Sequence, residues 1–111
     1  ASCDIEFSSN GYPTLENDDR LLEWVMASST EVLGQEHVKL KKQPSLGADD
    51  FSFFCHESRG LYYNIGARRQ GETDAYPIHS SRFNPDEACI RTGILTQVAA
   101  VLKIFEEGYK A

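Results

Sequence analysis

The chain has 111 residues, enough for one small domain with a modest core of its own. Its apolar share of 41% and charged share of 25% are those of a folded, soluble globular protein. A net charge of -6 repels phosphate backbones and anionic lipid, which disfavours binding to nucleic acid or membranes. We also expect no targeting segment and no spanning helix, because no apolar run approaches the roughly 18 residues that a span needs.

The cysteines are odd in number, far apart and without a CxxC pair: Cys3, Cys55 and Cys89. This spacing argues against a disulfide framework. Each cysteine has apolar neighbours, so we expect three small buried side chains in a reducing compartment, which favours the cytoplasm.

The first predicted element is a strand, because Cys3, Ile5 and Phe7 alternate with acidic residues. A chain that opens directly on a half-buried strand suggests a neighbouring strand upstream. We therefore expect a fragment of a longer protein.

An amphipathic helix is predicted next, over residues 18–33. Asn17 is the expected cap, and Asp18 and Asp19 complement the helix dipole. Gly34 can take the left-handed conformation that ends a helix. The positions with helical spacing are Leu21, Leu22, Val25, Ser29, Val32 and Leu33.

The middle of the chain mixes short elements and loops. Residues 38–40 and 61–67 are predicted strands, the second for its aromatic and β-branched content. Residues 49–55 are predicted to form a short helix or turn.

A long helix is predicted at the end. Asn84, Pro85 and Glu87 form a helix start, with a cap, a proline and an acid at the expected positions. Gly108 closes a helix of roughly 23 residues at 3.6 residues per turn. Its apolar stripe consists of Ile90, Ile94, Val98, Val101, Leu102 and Phe105.

The sequence GADDF, residues 47–51, is the first segment that could carry chemistry. Asp49 and Asp50 stand at a junction between a loop and a helix, where a carboxylate could act as a base or orient a neighbour. The simpler interpretation is that one of them only caps the helix that follows.

His79 is the second candidate, in a loop just after a proline and just before a helix start. Imidazole is a common metal ligand, but nothing else in the chain has metal-ligand spacing to it. On the residues alone a structural histidine is the more frequent case. His37 and His56 are expected to be solvated or capping, and the arginine pair Arg68 and Arg69 to lie on the surface.

Four segments in this order resemble the C-terminal part of the aminoacylase and carboxypeptidase family of two-metal amidohydrolases. They are GYPTLEND at 11–18, SLGADDFSFF at 45–54, LYYNIGA at 61–67 and YPIHSSRFNPDE at 76–87. The branch with N-acyl-amino-acid amidohydrolases, hippurate hydrolases and auxin-conjugate hydrolases is the most similar. The resemblance covers nearly the whole chain.

The resemblance implies an α/β fold, the C-terminal part of an αβα sandwich like that of zinc peptidases, interrupted in the complete enzyme by an inserted lid. Residues 1–12 would be the end of the lid or dimerisation domain, with its last strand. Residues 13–111 would be the C-terminal segment of the catalytic domain. A homodimer is a further expectation.

The family's chemistry uses two divalent ions, zinc, manganese or cobalt, to polarise an amide and activate water. Carried over by motif, His79 is the last metal ligand, and Gly47 and Asp50 belong to the wall of the substrate pocket. Asp49 stands where the family usually has glutamate. No residue here matches the other metal ligands or the glutamate base, so we assign no catalytic residue to this chain.

Two functions follow. In the first, the chain is a fragment, inactive alone, of an enzyme that hydrolyses N-acyl amino acids or small peptides and whose N-terminal half supplies the other ligands. In the second, the chain is a free-standing, non-enzymatic module for binding or oligomerisation that keeps the fold of this segment.

Overall fold

The computed structural model describes residues 2–8 and 10–108. Its helices are α1 (Asp19–Leu33), a short 3-10 turn (Gln35–His37), α2 (Phe51–Glu57) and α3 (Ala88–Gly108). The expected domain segments 1–12 and 13–111 each include residues outside this description, namely Ala1, Ser9 and residues 109–111.

Helix α1 confirms the predicted helix but not its cap. Asp18, in place of Asn17, accepts a hydrogen bond from the Leu21 N–H to its Oδ1 at 2.9 Å. Asn17 is unavailable because its amide binds the backbone of Tyr62, 45 residues away. At the other end Gly34 has a φ of +92° and donates its N–H to the Thr30 carbonyl at 2.9 Å. The glycine ends the helix as predicted.

Helix α3 starts three residues later than the proline that was expected to open it. Asp86 caps the first turn, since its Oδ1 accepts from the Ala88 N–H at 3.0 Å. The N–H of Asp86 donates to the carbonyl of Ala67 at 2.7 Å. This long-range bond ties Asp86 to the distant segment, so that α3 begins only beyond it and is 21 residues long.

None of the predicted strands is paired within residues 2–8 and 10–108. Residues 3–7, 38–40 and 61–67 lack regular secondary structure. The predicted buried face of the first strand is also wrong, because Ile5 is 73% exposed and Phe7 is 93% exposed. A strand pattern becomes a strand only when a neighbour completes the hydrogen-bond ladder, and the described residues provide no such neighbour. The α/β class is therefore not formed by these residues on their own.

The core lies where α1 packs against α3. Its buried positions are mostly small: Ser28 and Ser29 on α1, and Gly93, Thr96 and Ala100 on α3. Val25 and Ala100 are the buried hydrophobic residues of the described part.

The predicted apolar stripe of α3 is not buried. Its six members are 50% to 64% exposed. Small residues permit a closer approach of neighbouring backbone than large ones, which explains why the face with Gly93, Thr96 and Ala100 is the covered one.

Helix α3 is also long and apolar enough to cross a membrane, with a mean hydropathy of 1.5 over an 18-residue window. The expectation that the chain has no helix long and apolar enough to span a membrane is therefore wrong by this criterion. The polar residues of α3 are spaced widely enough for the mean hydropathy of the window to stay high. One such helix is weak evidence for a span, since the core helix of a soluble protein meets the same criterion.

All three cysteines are free thiols. Cys55 and Cys89 are half-buried, but Cys3 is exposed together with the extended segment that carries it. The prediction of three buried cysteines is thus wrong for Cys3, because the sheet expected to cover this segment is not formed among the described residues.

Candidate functional site

His79 stands at the third position of a tight turn. The Ser80 N–H donates to the Pro77 carbonyl at 3.2 Å, which closes the turn over Ile78 and His79. The φ of His79 is +74°, the positive value that such a turn requires at this position when it is of type II. A positive φ is uncommon for a residue other than glycine and costs energy, so it marks His79 as a residue held in a special conformation.

A second turn follows and holds the first in place. The Phe83 N–H donates to the Ser80 carbonyl at 3.0 Å, and the Arg82 N–H donates to Ser80 Oγ at 3.2 Å. The Arg82 guanidinium lies 4.2 Å from the centre of the Tyr76 ring, which joins the two ends of the segment. His79 is exposed to solvent, and the backbone of the segment that carries it is held by hydrogen bonds within the segment.

A complete metal site is not assembled within residues 2–8 and 10–108. No group of three or more His, Cys, Asp or Glu side chains there is arranged to hold an ion. A divalent ion in a protein needs several ligands. An ion at His79 would need further ligands from outside this part of the chain.

Gly47 and Asp50 lie on an exposed loop. A Cβ added at Gly47 would meet no atom within 4 Å, so no neighbour within the chain requires glycine there. Asp50 is exposed, and its side chain makes no capping hydrogen bond to α2. Both residues are exposed to solvent.

Asp49 behaves differently from its neighbour. Its Oδ1 accepts from the Phe51 N–H at 2.9 Å, so the capping interpretation is correct for this residue. A hydrogen bond from the Tyr62 hydroxyl to Asp49, assisted by the negative charge of the carboxylate and by slight burial, raises the pKa of Tyr62 above its ordinary range. The Asp49 carboxylate is thus engaged at the start of α2.

Asn17 and Tyr62 are residues that sequence reasoning missed. Asn17 Nδ2 donates to the Tyr62 carbonyl at 3.0 Å, and the Tyr62 N–H donates to Asn17 Oδ1 at 2.8 Å. The side-chain amide of Asn17 thus binds both backbone groups of Tyr62, as a residue on a neighbouring β-strand would. No local signal could reveal it, because Asn17 reads as a helix cap and Tyr62 as a strand position in their own segments.

A cleft of about 390 Å³ lies between the start of α1 and the end of α2. Its lining includes His56, whose Nε2 lies 3.2 Å from the Thr14 carbonyl, and Arg59, whose Nε lies 3.7 Å from Asp18 Oδ2. His56 is thus in hydrogen-bond contact with the backbone. The described residues that line the cleft do not include Gly47, Asp50 or His79.

A family model, peptidase family M20/M25/M40, matches residues 2–103. The chain belongs to this family. The match spans nearly the whole chain and confirms the resemblance found in the four sequence segments. No solved structure gives a significant match.

Curated relatives carry hydrolase names. The chain is 32% identical over 103 residues to thermostable carboxypeptidase 1 of Saccharolobus solfataricus, and the aligned region covers 93% of this chain and 25% of that protein. It is 31% identical over 100 residues to N-acetyldiaminopimelate deacetylase of Pediococcus pentosaceus, covering 84% of this chain and 23% of that protein. It is 28% identical over 88 residues to IAA-amino acid hydrolase ILR1-like 6 of Arabidopsis thaliana, and the aligned region covers 79% of this chain and 19% of that protein. The chain therefore spans about a quarter of the length of the curated relatives it matches.

Proposed function

We propose that this chain is the C-terminal segment of a metal-dependent amidohydrolase that cleaves the amide bond of N-acyl amino acids or small peptides. The single observation that carries the proposal is the family match over residues 2–103. A carboxypeptidase, a deacetylase and an amino acid hydrolase are among the relatives by name, and all three names describe the removal of an amino acid or an acyl group. The reaction class is shared although the substrates differ.

The complete enzyme supplies what this chain lacks. Peptidases of this family are generally metal-dependent, and two divalent ions such as zinc, manganese or cobalt would polarise the amide and activate water when bound. His79 offers an imidazole on a turn with a special backbone conformation, and the other ligands and the general base come from the N-terminal half. The 111-residue chain alone is inactive on this proposal.

Gly47 and Asp50 contribute to the substrate side of the same proposal. The loop at 45–50 is exposed and has no side chain at Gly47, so a substrate can approach its backbone. Segments 3–7 and 61–67 would pair with strands of the complete enzyme, which would complete the αβα sandwich and the lid. The net charge of -6 and the free thiols favour a cytoplasmic enzyme that binds neither nucleic acid nor membranes.

Hydrolysis of N-acyl amino acids by the complete protein that carries this chain tests the proposal. We expect hydrolysis with added zinc, manganese or cobalt, and loss on addition of a chelator. His79→Ala should lower kcat/KM by about 100-fold or more, because loss of a ligand is more damaging than loss of a residue that only supports one.

His37→Ala is the matched control, since His37 is also exposed but lies in the 3-10 turn Gln35–His37. Its activity and metal content should equal those of the wild type. Hydrolysis by the 111-residue chain itself would contradict the fragment proposal. The non-enzymatic module would be favoured if the complete protein had no hydrolase activity and if neither metal nor His79→Ala changed its stability. That module could be a homodimer.

A further inference from the structure

We propose that Tyr76 and Arg82 are positioning residues for His79, because the contact between their side chains holds closed the turn that carries the imidazole. We call this contact the Tyr76–Arg82 clasp. The role of His79 as a metal ligand rests on the proposed function, whereas the clasp rests on distances within this chain.

The segment that carries His79 belongs to a loop whose two ends are joined. The Asp86 N–H donates to the Ala67 carbonyl at 2.7 Å, and Arg69 Nη2 donates to Asn84 Oδ1 at 3.2 Å. These two bonds fix the base of the loop beside the start of α3. They do not reach the turn at His79, so the path of the chain there depends on contacts closer to the turn.

The clasp provides such a contact across the turn. The Arg82 guanidinium lies 4.2 Å from the centre of the Tyr76 ring, well inside the distance of about 6 Å at which a cation and an aromatic face attract each other. Tyr76 precedes the turn that the Ser80 N–H closes over His79, and Arg82 follows it. The Arg82 N–H also donates to Ser80 Oγ at 3.2 Å, so the backbone and the side chain of Arg82 both support the turn.

His79 needs this support because of its backbone conformation. Its φ of +74° costs energy for a residue other than glycine and persists only where surrounding contacts enforce it. His79 is also exposed, so burial does not fix it. When the turn opens, the imidazole loses its fixed position, and a metal ion would bind only the fraction of molecules in which the turn is closed.

The first readout is the hydrogen–deuterium exchange of the Ser80 amide in the complete, metal-free protein, measured by mass spectrometry of short peptides. Tyr76→Leu and Arg82→Gln should each speed this exchange by about two- to fivefold after correction for intrinsic rates. This factor corresponds to one cation–π contact at an exposed site. Tyr76→Phe keeps an aromatic face and should restore the wild-type rate.

Arg20→Gln is the matched control for Arg82→Gln. Arg20 is exposed as well and lies 5.7 Å from the centre of the Trp24 ring on α1, away from the segment of His79. Its loss removes the same kind of contact and the same charge. The exchange of the Ser80 amide should match the wild type in this variant.

The second readout is the Kd of the complete protein for zinc, measured by competition with a chelator. Tyr76→Leu should raise this Kd by about two- to fivefold, since the turn is closed for a smaller share of the time. Tyr76→Phe should restore it, and His79→Ala should raise it much further. Arg82→Gln is left out of this comparison because it also removes a positive charge that repels a cation. The urea midpoint of Tyr76→Leu should equal that of the wild type, because the bonds at the base of the loop remain.

The outcomes separate the clasp from the proposed function. Unchanged exchange of the Ser80 amide in Tyr76→Leu would overturn the clasp. Wild-type affinity for zinc in Tyr76→Leu, together with loss of zinc in His79→Ala, would overturn the positioning role and leave the proposed function in place. Wild-type affinity in both variants would instead mean that the proposed function fails. A weaker affinity in Tyr76→Leu that came with a lower urea midpoint would reduce the effect to general destabilisation and overturn the positioning role.

Discussion

The two faces of α3 differ in the size of their residues and in what covers them. Gly93 and Thr96 approach segment 61–67: a Cβ added at Gly93 would lie 3.1 Å from Ile65 Cδ1, and Thr96 bonds Tyr63. The opposite stripe, with Ile94, Val98 and Leu102, is more than half exposed. The difference teaches that the most apolar side of a helix is not always the one that its own chain segment covers. On the proposed function, the large stripe is the surface that the rest of the complete enzyme would cover.

The largest expected effect comes from placing a charge on the large stripe. Val98 is 54% exposed here, so Val98→Asp should change the free energy of unfolding of the 111-residue chain by no more than about 0.5 kcal/mol. In the complete protein, where we expect this stripe to be covered, the same change should cost about 3 kcal/mol or more because an unpaired carboxylate is buried. Urea denaturation of both proteins measures the two values.

Gln97→Asp is the control for this substitution, since it adds the same charge at the neighbouring exposed position. It should be nearly neutral in both proteins. Equal, small effects of Val98→Asp in the chain and in the complete protein would mean that the stripe stays solvated, and would remove the main structural support for a larger catalytic domain around α3.

A smaller effect is expected on the covered face. Ala100 is 8% exposed, so Ala100→Leu inserts three carbons into a packed interior and should destabilise the chain by about 1–3 kcal/mol. Val101→Leu, at a position that is 50% exposed, adds one carbon and should be within about 0.5 kcal/mol of the wild type. The midpoints of urea unfolding report both. Similar values for the two variants would contradict the difference between the faces.

The smallest effect concerns the C-terminal part of α3. A hydrogen bond from Lys103 Nζ to Glu107 Oε1 at 3.2 Å, helped by the nearby charges of Glu107, Glu106 and Glu31 against some desolvation, raises the pKa of Lys103. A raised pKa means that the folded state binds the proton more tightly than the unfolded state does. The stabilisation is therefore complete below the unfolded pKa and is lost as the pH rises through the folded value.

We accordingly expect the melting temperature to decline above about pH 10.5, where a lysine loses its proton. Lys103→Met should make this decline in melting temperature less steep, because the contribution of Lys103 is removed. The rest of the decline should remain, and Tyr62 contributes to it because its pKa is also raised. Thermal melts of the two proteins between neutral and alkaline pH provide the measurement. Identical curves for wild type and Lys103→Met would show that the ion pair has no influence on stability.

The turn around His79 was predictable from the sequence, but the contacts that hold the candidate residues were not. The motif around His79 contains a proline two residues before the histidine, and a turn there follows from local chemistry. The positive φ of His79 is a property of the folded backbone that residue types alone do not specify. Asp49 accepts the Phe51 N–H whereas Asp50 makes no capping hydrogen bond, a difference between adjacent aspartates that the sequence does not show.

The sequence by itself determined that two long helices form, that Gly34 ends the first, and that the chain carries the motifs of its family. These features follow from hydrogen bonds and propensities within a few residues. Only the tertiary structure decided that Asp18 caps α1 while Asn17 binds Tyr62, and that α3 buries its small face instead of its large one. Both outcomes depend on partners distant in the sequence, because the contact that is available in space decides which donor, acceptor or face is used.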